Sequence, residues 1–210
     1  MSSSLFDRTV DSLKKNHFNV FIADDPGQAR QIILDDILPG ITPGLVSYGD
    51  SMTLQATGVL DDMRHRDGWE FLDTFEPGVD RAEILERRRR AVLADLFFTG
   101  TNALTARGQL VNLDMVGNRV GGIVWGPRHV VLTIGTNKIV EDLEQATARI
   151  REIAAPLNAK RHEIRTPCVK TGKCMDCKSP DRICNTWMIT EKCWPAGRIS
   201  VVLIRGEYGL

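Results

Sequence analysis

Apolar residues recur along this chain first at helical spacing, then in short blocks, and the two rhythms alternate. Leu5, Phe6, Thr9, Val10 and Leu13 fall on one face of a helix, and the stretch Phe18 to Ala23 that follows is apolar enough for a buried strand. Asp25-Pro26 then reads as an N-cap with proline at the first helical position. It opens a helix that buries Ala29, Ile32, Ile33 and Ile37 and stops at Pro39-Gly40. Gly44 to Tyr48 is the next strand, and it runs through Gly49-Asp50-Ser51 into a helical stretch carrying Met52, Leu54, Gln55, Val59, Leu60 and Met63.

The rhythm continues with a strand at Trp69 to Leu72, a helix from Asp80 to Ala94 and a strand from Asp95 to Thr99. Asn102 to Thr105 and Gln109 to Asp114 flank the turn-forming Ala106-Arg107-Gly108 and predict a β-hairpin. Val120 to Trp125 and His129 to Ile134 read as two further strands, and Lys138 to Ala155 as a long helix ended by Pro156. Ile199 to Arg205 closes the chain as a strand, after an irregular segment from Pro167 to Pro195. Strands alternating with helices predict an α/β protein: a mostly parallel sheet covered by helices on both faces, with the hairpin inserted. Residues 1–210 form one domain in this reading, and 165–196 are a cysteine-rich loop within it.

Composition removes several functions. With 27 Lys and Arg against 27 Asp and Glu in 210 residues, there is no global attraction to nucleic acid or to an anionic surface. No run of about 18 apolar residues offers a membrane span, and the first residues lack the pattern of an export signal. The expectation is a cytoplasmic protein with reduced thiols, no nucleic-acid partner and no membrane insertion.

Three strands end in small polar loops: Ser47-Tyr48-Gly49-Asp50-Ser51, Thr99-Gly100-Thr101-Asn102 and Ile134-Gly135-Thr136-Asn137. In an open parallel sheet, the carboxyl ends of the strands lie along one edge, where ligands bind. Glycine admits close approach, and hydroxyl and amide groups supply directed hydrogen bonds. The loops at Gly49 and Gly135 lead into predicted helices, which makes them candidate carboxylate or phosphate cradles; ordinary capping is the alternative. Arg88 alone of the run Arg87 to Arg90 shares a helix stripe with Ile84, Ala91 and Val92, so it points with the apolar face. It either contacts a ligand, snorkels to water, or pairs internally with Asp50, Asp73 or Asp95. Gly117, Gly121 and Gly122 cluster beside Asn112, Asn118 and Arg119, which either meet a substrate or form the wet side of the hairpin. The four histidines, His17, His65, His129 and His162, sit in unrelated contexts and suggest no catalytic triad, so the catalytic residues stay unassigned.

All five cysteines lie within 26 residues. Cys168, Cys174, Cys177 and Cys184 have a C-x5-C-x2-C-x6-C spacing, with Cys193 beyond them. A two-residue spacing lets both thiolates reach one centre, and the surrounding basic surplus favours thiolate. Metal binding is the leading reading, as a [4Fe–4S] cluster or as zinc; reduced structural thiols and a disulfide are the alternatives.

The segments Asp95 to Thr105, Gly108 to Asn112, Gly117 to Val120 and Gly135 to Val140, with Gly49-Asp50-Ser51, resemble the lactate-utilisation (LUD) domain family, in a subgroup with a cysteine-rich tail. The resemblance implies a NagB/RpiA/CoA-transferase-like fold and a role linked to oxidation of lactate or another hydroxy acid, alongside iron–sulfur redox partner proteins. The expected ligand is a small anionic metabolite held by Gly49, Ser51, Arg88, Gly100, Thr101, Asn102, Asn112, Asn118, Arg119, Gly135, Asn137 and Lys138. The rival functions are a non-catalytic binding or regulatory subunit with structural zinc, and a transferase or hydrolase on the same fold.

Overall fold

The structure, a computed structural model, describes residues 4–210. Six strands form one sheet, all of them parallel: β1 (Asn19–Ala23), β2 (Leu45–Tyr48), β3 (Glu70–Leu72), β4 (Leu96–Thr99), β7 (His129–Gly135) and β10 (Ile199–Ile204), in the order β1-β10-β7-β4-β2-β3. A second sheet, β8-β5-β6-β9, is mixed: β5 (Ala103–Thr105), β6 (Leu110–Asp114), β8 (Ile139–Val140) and β9 (Thr186–Thr190).

Side chains alternate across a strand, so a sheet buried on both faces needs apolar residues at every position. That condition is met at most positions, with Ser47, Thr99, Thr133 and Ser200 as buried polar exceptions. Phe97, Val130, Leu132, Val201 and Leu203 enter one core, beside Leu13 of helix α1 (Leu5–Lys15) and Ala91 of α5 (Arg81–Ala91). Leu96, Phe98, Val131, Val202 and Ile204 enter the other, beneath α2 (Pro26–Ile32), α3 (Met52–Thr57) and α4 (Val59–Arg64). Each fully buried side chain of this size stabilises the fold by about 1.5–3 kcal/mol relative to exposure.

Three sequence expectations are corrected. Val120 to Trp125 is not a strand but the helix α6 (Asn118–Val124), opened by Gly117 at φ 94°. It rides close over β4, since a Cβ on Gly122 would come within 2.7 Å of the Phe97 ring, so its glycines serve packing. The helix expected from Lys138 starts later, after β8, with Asp142 capping α7 (Leu143–Arg149). It does not stop at Pro156: a wide π-helical turn over Ile150–Ala154 takes up the proline's missing donor, and α8 (Ala155–Arg161) continues. The segment from 167 to 195 is not wholly irregular, because α9 (Pro167–Thr171) and β9 lie in it. β9 pairs antiparallel with β6, which makes the expected hairpin the middle of a four-stranded sheet.

Candidate functional site

From β2 the chain steps outward to β3, whereas from β4 it steps the other way to β7. The α3 cover follows β2 on one face, and α6 precedes β7 on the other. Such a reversal leaves a crevice at the carboxyl ends of the two strands, here β2 and β4. A cleft of about 300 Å³ opens there. The loops are pressed together: the Gly49 amide donates to the Phe98 carbonyl (2.8 Å), and a Cβ on Gly100 would lie 2.5 Å from the Ser51 hydroxyl. Eight of the twelve expected ligand residues line the cleft: Ser51, Arg88, Gly100, Thr101, Asn102, Asn118, Arg119 and Lys138.

The floor is built from the second sheet. The Asn102 Oδ1 accepts from the Leu113 amide and from Arg119 Nη2 (both 2.9 Å), and the Asn102 carbonyl accepts from Arg149 Nη1 (2.7 Å). Arg119 Nη2 also donates to the Leu113 carbonyl (2.9 Å) and lies 3.7 Å from Asp114. Burial pulls the Arg119 guanidinium below its ordinary pKa, against the opposing pull of Asp114 and Asp50. Lys138 is buried with no carboxylate within salt-bridge distance, and its ammonium donates to the Thr101 carbonyl (3.3 Å). Burial, with the cations Arg149 and Arg119 adding to it, pushes its pKa down to about 7.

The mouth is built differently. Arg88 lies over the Phe75 ring (4.9 Å), and its buried Nε has no hydrogen-bond partner. No salt bridge joins it to Asp50, Asp73 or Asp95, so the internal pairing is not observed. Asp50 instead takes Arg161 and His162 of the α8 end, His162 Nε2 at 2.9 Å, and spans the cleft from one wall to the other. Burial would raise the Asp50 carboxyl, but hydrogen bonds from His162 and Arg161 outweigh it and hold it at about 2. Buried polar atoms without partners gather around this edge: Arg88 Nε, Asn112 Nδ2, Asp114 Oδ2 and the Thr99 and Thr133 hydroxyls.

Four expected residues work behind the cleft. Asn112 is fully buried, its Oδ1 accepting from the Asn102 amide (3.3 Å). Gly49 holds β2 to β4. Gly135 and Asn137 anchor the chain end: Asn137 Oδ1 accepts from the Tyr208 amide (3.3 Å), and a Cβ on Gly135 would strike Tyr208 at 2.9 Å. Leu210 thereby reaches the cleft wall. Neither expected cradle forms a helix N-terminus open to an anion. Ser51 caps the short α3 with its own hydroxyl, and Gly135 leads into a single 3₁₀ turn, Thr136–Lys138. Sequence reasoning missed Phe75, Asp114, Asn158, Arg161 and His162 as lining residues. The adjacent pair Arg161-His162, at the end of a helix, was the only local signal.

Cys168, Cys174, Cys177 and Cys184 line one small hollow of about 20 Å³. Arg182 ties its loop, donating to the carbonyls of Cys177 (2.6 Å) and Cys184 (2.8 Å) and to Asp176 (2.8 Å). Burial and then the neighbouring Cys174 thiol push Cys184 up to about 11. Among the described residues no three His, Cys, Asp or Glu side chains converge as ligands of one ion, and all five cysteines are free thiols. The hollow shares a wall with the cleft, since Ile183 and Cys184 line both.

A doubly covered parallel sheet with a polar cleft at its switch point defines an α/β protein with a candidate ligand site. The LUD domain profile matches residues 6–204, and the chain belongs to that family. No curated protein matches it. Among solved structures it is similar to a DUF162 family protein from Deinococcus radiodurans, with a TM-score of 0.52 at 13% identity over 96% of each chain, a likeness of fold. It is also matched to eIF2B delta from Chaetomium thermophilum, with a TM-score of 0.31 at 17% identity over 68% of this chain and 54% of that one, too low to carry an argument. Among the described residues no helix is long and apolar enough to cross a membrane.

Proposed function

We propose that this LUD-family chain binds a small anionic metabolite of the hydroxy-acid or 2-oxo-acid class in the cleft, in service of lactate or related hydroxy-acid oxidation. The observation that carries the reading is a surplus of cation: Asp50 is taken up by Arg161 and His162, while Arg88 and Lys138 face the cleft without a carboxylate partner. A buried charge without a counter-ion is costly, and a bound carboxylate supplies one. The walls are mixed, with Phe75, Ile150 and Leu210 beside the polar groups, and the volume suits a short organic acid.

The cysteine hollow belongs to the same reading. Cys168, Cys174, Cys177 and Cys184 line one common hollow, and on their spacing they would hold a [4Fe–4S] cluster, with zinc as the alternative. A cluster supplies one-electron transfer when bound. Oxidising a hydroxy acid to an oxo acid releases two electrons and two protons, so iron–sulfur redox partner proteins complete the proposal as acceptors.

Two measurements test it. Titration calorimetry with L-lactate, pyruvate and oxalate is expected to show binding that Arg88→Gln weakens about tenfold or more, the loss of one charge-assisted contact; absence of binding by all three refutes the cleft assignment. Protein purified without oxygen is expected to contain iron and sulfide and to absorb visible light, and to lose both in Cys174→Ala. Colourless protein with stoichiometric zinc would establish the structural-zinc subunit instead.

A further inference from the structure

Lys138 is the one buried lysine among the described residues. It stands where the carboxyl end of β7 turns into the second sheet, one side of it lining the cleft. Its ammonium reaches the Thr101 carbonyl at 3.3 Å and lies 3.1 Å from where a Cβ on Gly209 would be, so backbone encloses it on two sides. The nearest charged groups are guanidiniums, and both are already held: Arg149 by the Asn137 and Asn102 carbonyls, Arg119 by Asn102 and Leu113. A lysine used for structure finds a carboxylate or reaches water with its charged end. This one does neither. Cationic neighbours and a dry setting favour the free amine, which is the nucleophilic form.

We propose that Lys138 is a nucleophilic amine that condenses with the carbonyl carbon of a 2-oxo acid seated in the cleft, forming an imine. The inference rests on the anion-binding reading of the cleft and names the substrate class more closely. The nitrogen lone pair forms a bond to the carbonyl carbon while the carbonyl π bond breaks onto oxygen, giving a carbinolamine. The oxygen then leaves as water, carrying both hydrogens of the amine, and a C=N bond remains. No electrons are gained or lost overall, so no oxidant or reductant is required. The acid's carboxylate is held by Arg88 or Arg119, cations of the same lining that Asp50 does not take up. A buried lysine next to cations is the usual way of activating this amine.

The test uses the full chain with pyruvate as the electrophile and cyanoborohydride to reduce any imine to a stable amine, followed by peptide mapping. A carboxyethyl adduct is expected on Lys138 at a level at least about tenfold above the exposed Lys160 and Lys178, in line with its larger fraction of free amine. Oxalate, which carries the anionic charge without a ketone, is expected to suppress that adduct. Lys138→Arg has no condensable amine and is expected to give no adduct at this position or above background elsewhere. Labelling of Lys138 no greater than that of the exposed lysines, with oxalate still bound in calorimetry, overturns the inference and leaves the anion cleft standing. If neither pyruvate nor oxalate binds, the cleft reading falls and the inference falls with it.

Discussion

The two sheets of this protein solve different problems with different residues. The six-stranded sheet is mainly apolar on both faces, and its strands pair through backbone, with a bond from the Ser47 hydroxyl to the Leu72 carbonyl (2.8 Å) added. The four-stranded sheet packs Leu104, Leu110 and Met188 on the large core and Ala103, Val111 and Leu113 in a small cluster with Ala146 and Ile150, and it adds a set of polar side-chain bonds. Thr105 and Gln109 bond across its turn, Gln109 Nε2 reaches both Glu191 oxygens (2.8 and 2.9 Å), and Asn102, Arg119 and Arg149 knit the loop that leads into it. The first sheet supplies stability and an edge. The second supplies the positioned cations and amides that give the edge its chemistry.

The sharpest way to break this contrast is to damage each sheet in turn. Phe97, fully buried on β4 and in contact with Gly122 of α6, has no polar duty; Phe97→Ala is expected to cost about 3–5 kcal/mol in urea unfolding. Asn102→Ala acts the other way. It strands the Leu113 amide and removes an acceptor from the buried Arg119, a loss of about 2–3 kcal/mol, and it is expected to weaken anion binding in calorimetry beyond what that destabilisation explains.

Lys138 separates the sheets by pH. Its folded pKa of about 7 lies below the ordinary lysine value, so between about pH 7 and that value the unfolded chain holds a proton that the folded chain does not. Stability therefore rises with pH across this window. Lys138→Met is expected to flatten the rise and to be the more stable protein near pH 6, by on the order of a few kcal/mol. Anion affinity of the native chain moves in the opposite sense, falling as pH passes about 7 and the ammonium is lost. The other charged or titratable groups that face Lys138 across the cleft are Arg88, Arg119, Arg161, His162, Asp50 and Asp114.

The parallel sheet was legible in the sequence because burial on both faces leaves no choice of residue: blocks such as Leu96-Phe97-Phe98 and Val130-Val131-Leu132 can be little else. The switch-point loops were legible for a related reason, since glycine, hydroxyl and amide residues after a strand mark a place where backbones meet. What failed was local pattern under tertiary demand. Val120, Ile123 and Val124 read as a strand, yet Gly122 lets a helix pack against the Phe97 ring of β4 where any side chain would clash. Pro156 read as a stop, but a π turn absorbs it. His162 and Arg161 lie more than a hundred residues from Asp50, and no period or spacing links positions that far apart.

That distant clasp gives the smallest effect and the finest test of how the cleft is kept open to one kind of ligand. Asp50 joins the β2 edge to α8 through Arg161 and His162, and its carboxyl is held at about 2, below the usual carboxylate value. A lowered folded pKa means stability that is fully present above the unfolded value near pH 4 and lost as pH falls towards 2. The side chains are partly open to water, so the contribution is about 1 kcal/mol. Asp50→Asn is expected to remove that acid-range slope, costing about 1 kcal/mol in unfolding at pH 7 and nearly nothing near pH 2. Because it also frees Arg161 for an added anion, the variant should bind oxalate as tightly as the native chain or several-fold more tightly. Weaker binding would mean that Asp50 orders the mouth rather than competing with the ligand for its cations.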